Sequence, residues 1–425
     1  MRTYSLIFLL LSSLVLEAQV DYNHYFTGER LRFDYGIMGL AISTKVIGLN
    51  IFREKLWGGS ERNLLDTMQY GDFMLELYDS TSNTLIYSRG YSSLFREWKT
   101  TREAEEKERL FLESVVMPFP KKPVKMMLLE RNFSMQFDSI YCTYLNPQRE
   151  LIEKISAPDN IEIRHLLWNG SPASKVDIVI LAEGYTPGEK EKFYRDVEHI
   201  QEVFFQWRPY DSLSDRFNIT AVFTPSDESG TDIPQNNHWV NTSLNSHFNT
   251  FGTERYLTCE DVFRVRDLLS ETPYDQICLM VNTDWYGGGG IYNYYTIFTS
   301  DHQDTEFLFH HEYGHAFAGL ADEYFTSEVA YHNMFNLEKE PYQPNITTLI
   351  DFAHKWQSMV SDTVPVPTPN IRKYAGVVGV FEGAGYSAEG IYRPYLNCTM
   401  KSVLYNGFCP VCAKAIERMI FFYSE

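Results

Sequence analysis

The sequence predicts an α+β protein, with an N-terminal all-β sandwich followed by a larger α/β domain. Three observations carry that division. As far as residue 148 the chain runs in short alternating, aromatic stretches separated by turn-forming residues. After Asn169-Gly170-Ser171-Pro172 the apolar runs become continuous and alternate with helical spacing. The whole chain has 425 residues, 44% of them hydrophobic and 15% aromatic, enough for two or three domains with ample core. The expected boundaries are 1–18, 19–155 and 156–425.

The first segment reads as a signal peptide. Arg2 supplies a positive start, residues 6–16 form a short apolar run, and Leu16-Glu17-Ala18 precedes Gln19 as a cleavage site. The run is too short to span a bilayer as a mature helix. No later segment reaches 18 uninterrupted apolar residues. The mature chain is therefore expected to carry no integral membrane segment and to be secreted, periplasmic or at the cell surface.

Within 19–155 the strand candidates are Leu31-Arg32-Phe33-Asp34-Tyr35, Phe73-Met74-Leu75-Glu76-Leu77-Tyr78 and Met135-Gln136-Phe137-Asp138. Trp57-Gly58-Gly59-Ser60 and Asp79-Ser80-Thr81-Ser82-Asn83 supply turns. The charged run 102–109 reads as a solvated loop or face. No catalytic cluster appears here, and such modules usually space, shield or bind.

From residue 156 the order becomes strand and helix. Residues 176–181 read as a buried strand. Residues 187–207 carry helical spacing through Phe193, Val197, Ile200, Val203 and Phe204. Two further strands are expected at 217–223 and 276–282. Then come four glycines, Gly287 to Gly290, and an aromatic strand over 294–298. A glycine run before a strand suits either an exposed backbone with which a peptide could pair or a plain turn.

The chemistry is concentrated at His311-Glu312-Tyr313-Gly314-His315, an HExxH pattern on a helix expected through 305–318. Histidines four apart share one helical face about one turn apart, so both imidazoles can reach one metal ion. Glu312 stands beside that metal as the candidate general base. A catalytic zinc needs three protein ligands and an open position, and it lowers the pKa of its water to about 7. The third ligand should lie downstream. Were the helix to continue, Asp322 would sit ~10 Å along the axis, far outside a ~2 Å bond. The chain must turn back, and Gly319 is the natural place. Asp322 is the favoured third ligand and Glu323 the runner-up. His310 is rotated ~100° from His311 and cannot share the metal through this helix. It reads as packing or as support for the ligands. His302, His332 and His354 are isolated.

Six cysteines are present, three of them (Cys398, Cys409 and Cys412) near the C-terminus. A structural zinc would want four such ligands and the cluster offers three, so one local disulfide among them is expected. The 37 basic residues against 56 acidic give a net charge of -19, which argues against nucleic acid or anionic membrane as the partner.

His311-Glu312-Tyr313-Gly314-His315-Ala316-Phe317-Ala318-Gly319-Leu320-Ala321-Asp322-Glu323-Tyr324, with Asn397-Cys398-Thr399-Met400 and Phe408-Cys409-Pro410-Val411-Cys412 behind it, resembles the bacterial IgA-peptidase family of zinc metallopeptidases. The likeness covers about 160–425. It implies a metzincin-like α/β zinc-peptidase domain with Met400 in a methionine turn beneath the metal. Relative to the common metzincin spacing, Gly319 and Asp322 each lie one residue further from the second histidine. The expectation is a secreted zinc metalloendopeptidase. Zinc would be held by His311, His315 and Asp322, and Glu312 would be the base. Tyr324 would help near the oxyanion. The substrate would be a protein or peptide, host or dietary glycoproteins among the candidates. The competing expectation is a surface-exposed glycoprotein-binding protein with a structural or relict metal site.

Overall fold

Eight strands build the N-terminal part: β1 Phe26–Leu40, β2 Ser43–Glu54, β3 Phe73–Asp79, β4 Leu85–Tyr91, β5 Arg109–Pro120, β6 Val124–Arg131, β7 Phe137–Leu145 and β8 Glu153–Lys154. The computed structural model describes residues 19–149, 152–325 and 334–425; the expected signal peptide lies outside them. The strands form two four-stranded sheets, ordered β5-β1-β2-β8 and β4-β3-β6-β7. Alternation sets the faces. In β6, Val124, Met126 and Leu128 are buried while the residues between them are less so. Met135 takes a left-handed turn conformation (φ 64°), so the last expected strand begins at Phe137 instead. The charged run 102–109 is largely exposed. Its exceptions are Ala104 and Arg109, whose guanidinium lies 4.6 Å from the Phe111 ring centre and 2.8 Å from Glu260.

A six-stranded sheet follows, from β9 Glu162–Trp168, β10 Val176–Glu183, β11 Phe217–Phe223, β12 Gln276–Val281, β13 Gly288–Ile291 and β14 Tyr295–Thr299. Its order is β13-β14-β12-β10-β11-β9. The four central strands are parallel and both edges are antiparallel. Every residue of β10, β11 and β12 is buried, as expected of parallel strands covered on both faces. One cover is the helix Lys190–Phe204, which buries Phe193, Tyr194, Val197, Ile200, Val203 and Phe204. Its approach is fixed by a capping box at Thr186 and Glu189. The helices Thr305–Ala318 and Pro410–Ser424 pack against each other.

The two parts share one core. Phe33, Leu75 and Phe111 belong to the same buried cluster as Ile277, Leu279 and Ile297. Buried Arg30 donates to the Leu269 and Thr272 carbonyls, and Arg32 pairs with Asp267 at 2.7 Å. The sandwich is therefore fixed against the sheet that carries the site. Among the described residues, no helix is long and apolar enough to cross a membrane.

Candidate metal centre

The helix Thr305–Ala318 carries the HExxH residues in its last two turns. It ends at Gly319, whose φ of 60° is left-handed and costs glycine little. The Gly319 amide donates to the His315 carbonyl and the Leu320 amide to that of Gly314. The chain thus reverses over the helix end and returns Asp322 to the histidine face.

Three ligand atoms converge there. His311 Nε2 and His315 Nε2 are 3.2 Å apart, and Asp322 Oδ1 lies 3.1 and 3.4 Å from them. A tetrahedral zinc with bonds of ~2.0–2.1 Å requires ligand separations of ~3.3 Å. The tautomers agree. His311 Nδ1 donates to the Thr399 carbonyl at 3.0 Å and His315 Nδ1 to the Leu320 carbonyl at 2.6 Å. Each neutral ring then presents a lone pair at Nε2, and buried Asp322 Oδ1 has no hydrogen-bond partner. Three electron-rich atoms that face one another need a cation between them. Burial alone would raise the Asp322 carboxyl, but His315 and His311 hold it well below the carboxylate range. Asp322 in turn overrides burial and pushes His315 up to about 9, so that a proton takes the cation's place until a metal displaces it.

Glu312 has a carboxylate oxygen within 4.8 Å of both imidazoles. Burial raises its carboxyl and the histidines oppose the shift. The glycine stretch is not a plain turn. Gly288–Ile291 is the sheet's edge strand, pressed onto the metal helix. A Cβ on Gly290 would stand 2.0 Å from the Glu312 carbonyl oxygen, and one on Gly288 3.0 Å from Glu312 Cγ. Bare backbone is what lets the strand lie against the base.

Met400 is buried beneath the helix, where a Cβ on Gly314 would lie 2.9 Å from its sulfur. Tyr324 lines the cleft, its hydroxyl 3.3 Å from Arg255 Nη2. Glu323, the runner-up third ligand, is corrected by the structure. Its carboxylate turns away from the histidines and accepts from Cys412 Sγ at 3.1 Å and from Asn345 Nδ2 at 3.1 Å. The chain thus sends these two neighbouring carboxylates into different clusters. His310 stacks on Trp207 with ring centres 3.8 Å apart, and burial lowers it to about 4. His302 and His354 pair with nearby aspartates, and His332 lies outside the described residues.

Sequence reasoning missed Tyr386, whose hydroxyl donates to Asp322 Oδ2. It sits at φ 63° on the hairpin between β15 Phe381–Ala384 and β16 Ser387–Arg393, with no local pattern to announce it. It also missed the far wall of the cleft. About 500 Å³ of open space above the ligands is bounded by the metal helix and Gly287–Gly290, and opposite them by Arg96, Arg131 and Phe133 of the sandwich. That volume falls in the range of roughly 300–1,000 Å³ for ligand sites.

A family model for IgA peptidase M64 matches residues 165–374 and 370–420, and a model for the peptidase M64 N-terminus matches residues 21–142. The chain belongs to the IgA peptidase M64 family. Among curated proteins, none matches. As an M64 peptidase it is a hydrolase that acts on protein or peptide, and the match to the family's N-terminal domain takes in β1 to β6 and part of β7. The M64 match also spans the two groups of side chains that could hold a metal ion among the described residues: His311, Glu312 and His315, and Glu323 with Cys398, Cys409 and Cys412. The second group corrects the expected disulfide. All three cysteines are buried and free.

Proposed function

We propose that this M64 peptidase is an exported, zinc-dependent endopeptidase with a metzincin-like centre. The observation that carries the reading is the convergence of His311 Nε2, His315 Nε2 and Asp322 Oδ1 at 3.1–3.4 Å, with both Nδ1 atoms committed to carbonyls. These residues would hold the ion. Bound there, zinc supplies Lewis acidity, bringing the pKa of water to about 7 and polarising a carbonyl.

The remaining steps belong to the chain. Glu312 takes a proton from the attacking water and passes it to the leaving amine nitrogen. Tyr386, through Asp322 Oδ2, orients the third ligand. Tyr324 faces the cleft as the donor assigned to the developing oxyanion. The edge strand Gly288–Ile291 offers backbone to an extended peptide. Gly288 O already accepts from the Leu257 amide outside the sheet, and strand alternation turns Gly290 outward too. Met400 supports the helix from below. In a binding protein with a purely structural metal, Glu312 would have no work to do.

The test is cleavage of a denatured protein such as casein, with mass spectrometry of the fragments. Internal cuts support the endopeptidase. Trimming confined to chain ends would contradict it.

A further inference from the structure

A second set of metal-ligating side chains lies on the far side of the backbone from the catalytic group. Glu323 carboxylate oxygen and the sulfurs of Cys398, Cys409 and Cys412 all lie within 4.8 Å of one another, and all four residues are buried. Cys398 Sγ and Cys412 Sγ are 3.8 Å apart. A disulfide needs about 2.05 Å. Two thiolates on one tetrahedral zinc, each at ~2.3 Å, stand ~3.8 Å apart. Glu323 Oε2 is buried with no hydrogen-bond partner, an acceptor left open inside a sulfur cluster. A fully buried carboxylate beside three thiols is costly unless a cation compensates it.

We propose that Glu323, Cys398, Cys409 and Cys412 form a closed, four-ligand structural zinc site, distinct from the site on the HExxH helix. The ligand count and burial suit it: structural zinc is tetrahedral and carries no open position. The N-terminus of helix Pro410–Ser424 contributes two sulfurs. Cys409 is the N-cap, its sulfur accepting from the Cys412 amide at 3.5 Å, and Cys412 lies in the first turn. The Cys409 amide points at Cys398 Sγ at 3.3 Å.

The site pins three segments that position the catalytic group. Glu323 follows the ligand Asp322 directly. Cys398 precedes Thr399, whose carbonyl orients His311, and Met400, whose carbonyl accepts from the Glu323 amide at 2.7 Å. A metal here would fix the third ligand and the methionine loop in one knot, and hold both to the C-terminal helix.

The test is zinc X-ray absorption on the purified full chain and on a His311→Ala/His315→Ala variant, with non-reducing peptide mapping of the cysteines. The double variant should keep about one zinc per chain, bound through sulfur at ~2.3 Å, with all three cysteines unlinked. Wild-type zinc should show sulfur and lighter scatterers together. A wild-type spectrum without sulfur, or a disulfide joining any two of the three, overturns the site. That result leaves the catalytic reading standing, because its zinc has only nitrogen and oxygen ligands. About one zinc per wild-type chain with three sulfurs and one oxygen, and no nitrogen, would uphold this site and sink the catalytic one. Because the wild type itself is measured, no variant that fails to fold can leave the question open.

Discussion

Asp322 and Glu323 are neighbours in the chain whose carboxylates enter different clusters: Asp322 Oδ1 lies 3.1 Å from His311 Nε2, and Glu323 Oε1 lies 3.1 Å from Cys412 Sγ. One backbone segment thus joins the catalytic group to the sulfur group. Their substitutions should separate. Asp322→Ala should weaken the histidine-site metal by more than the 10–100-fold typical of a lost supporting hydrogen bond. Glu323→Ala should leave that metal largely in place and disturb the sulfur-bound one. Competitive chelator titration with cobalt in place of zinc separates the sites, with thiolate charge-transfer bands reporting the sulfur group and total bound cobalt less that share reporting the histidine group. If Glu323→Ala empties the histidine site while Asp322→Ala does not, the ligand assignment is wrong.

Tyr386 should act on the metal through Asp322. Its phenol is the donor to Asp322 Oδ2, so Tyr386→Phe keeps the ring and removes that bond. Zinc affinity should fall about 10–100-fold, with the fold unchanged. Affinity and activity equal to wild type would remove Tyr386 from the centre.

Gly290 should not tolerate a side chain. Its added Cβ would meet the Glu312 carbonyl at 2.0 Å, a backbone atom that cannot swing aside. Gly290→Ala should cost about 1–3 kcal/mol, as overpacking does, and lower turnover by shifting the base. A urea midpoint and a turnover number both at wild-type level would contradict the close packing of strand on helix.

Burial pushes the Glu113 carboxyl up to about 8 in the folded protein, against the lesser pull of Tyr294, Ser93 and Arg266, with Glu260 adding to the rise. Unfolded, it titrates near ~4.3. Between those values the folded state holds a proton that the unfolded chain has lost. Its stabilising effect is therefore complete below the lower value and is lost as pH rises through about 8. Unfolding free energies from urea titration should fall from pH 5 to pH 8.5 in the wild type, by an amount of order a few kcal/mol. Glu113→Gln should flatten that slope. An unchanged slope would place the titration elsewhere.

The sequence exposed what is local and hid what is assembled. HExxH, Gly319 and Asp322 were legible because helix geometry and one turn relate them within a dozen residues. The parallel strands were legible because burial on both faces leaves continuous apolar runs. Tyr386 was not, since the hairpin that brings it to Asp322 leaves no periodic trace 64 residues away. Glu323 was weighed only against the histidines, because nothing local links it to cysteines 75 to 89 positions downstream. The wall formed by Arg96 and Arg131 depends on how two sheets dock, which strand patterning does not encode.

The central claim is that Glu312 works beside a zinc held by His311, His315 and Asp322. It is tested most directly by assaying peptide cleavage for the wild type and Glu312→Gln, before chelation, after it, and after zinc is restored. The wild type should lose activity on chelation and recover it with zinc. Glu312→Gln should bind zinc as the wild type does, yet turn over at least ~10²-fold more slowly under every condition. Cleavage that persists without metal, or a zinc-loaded Glu312→Gln as fast as the wild type, would contradict the account.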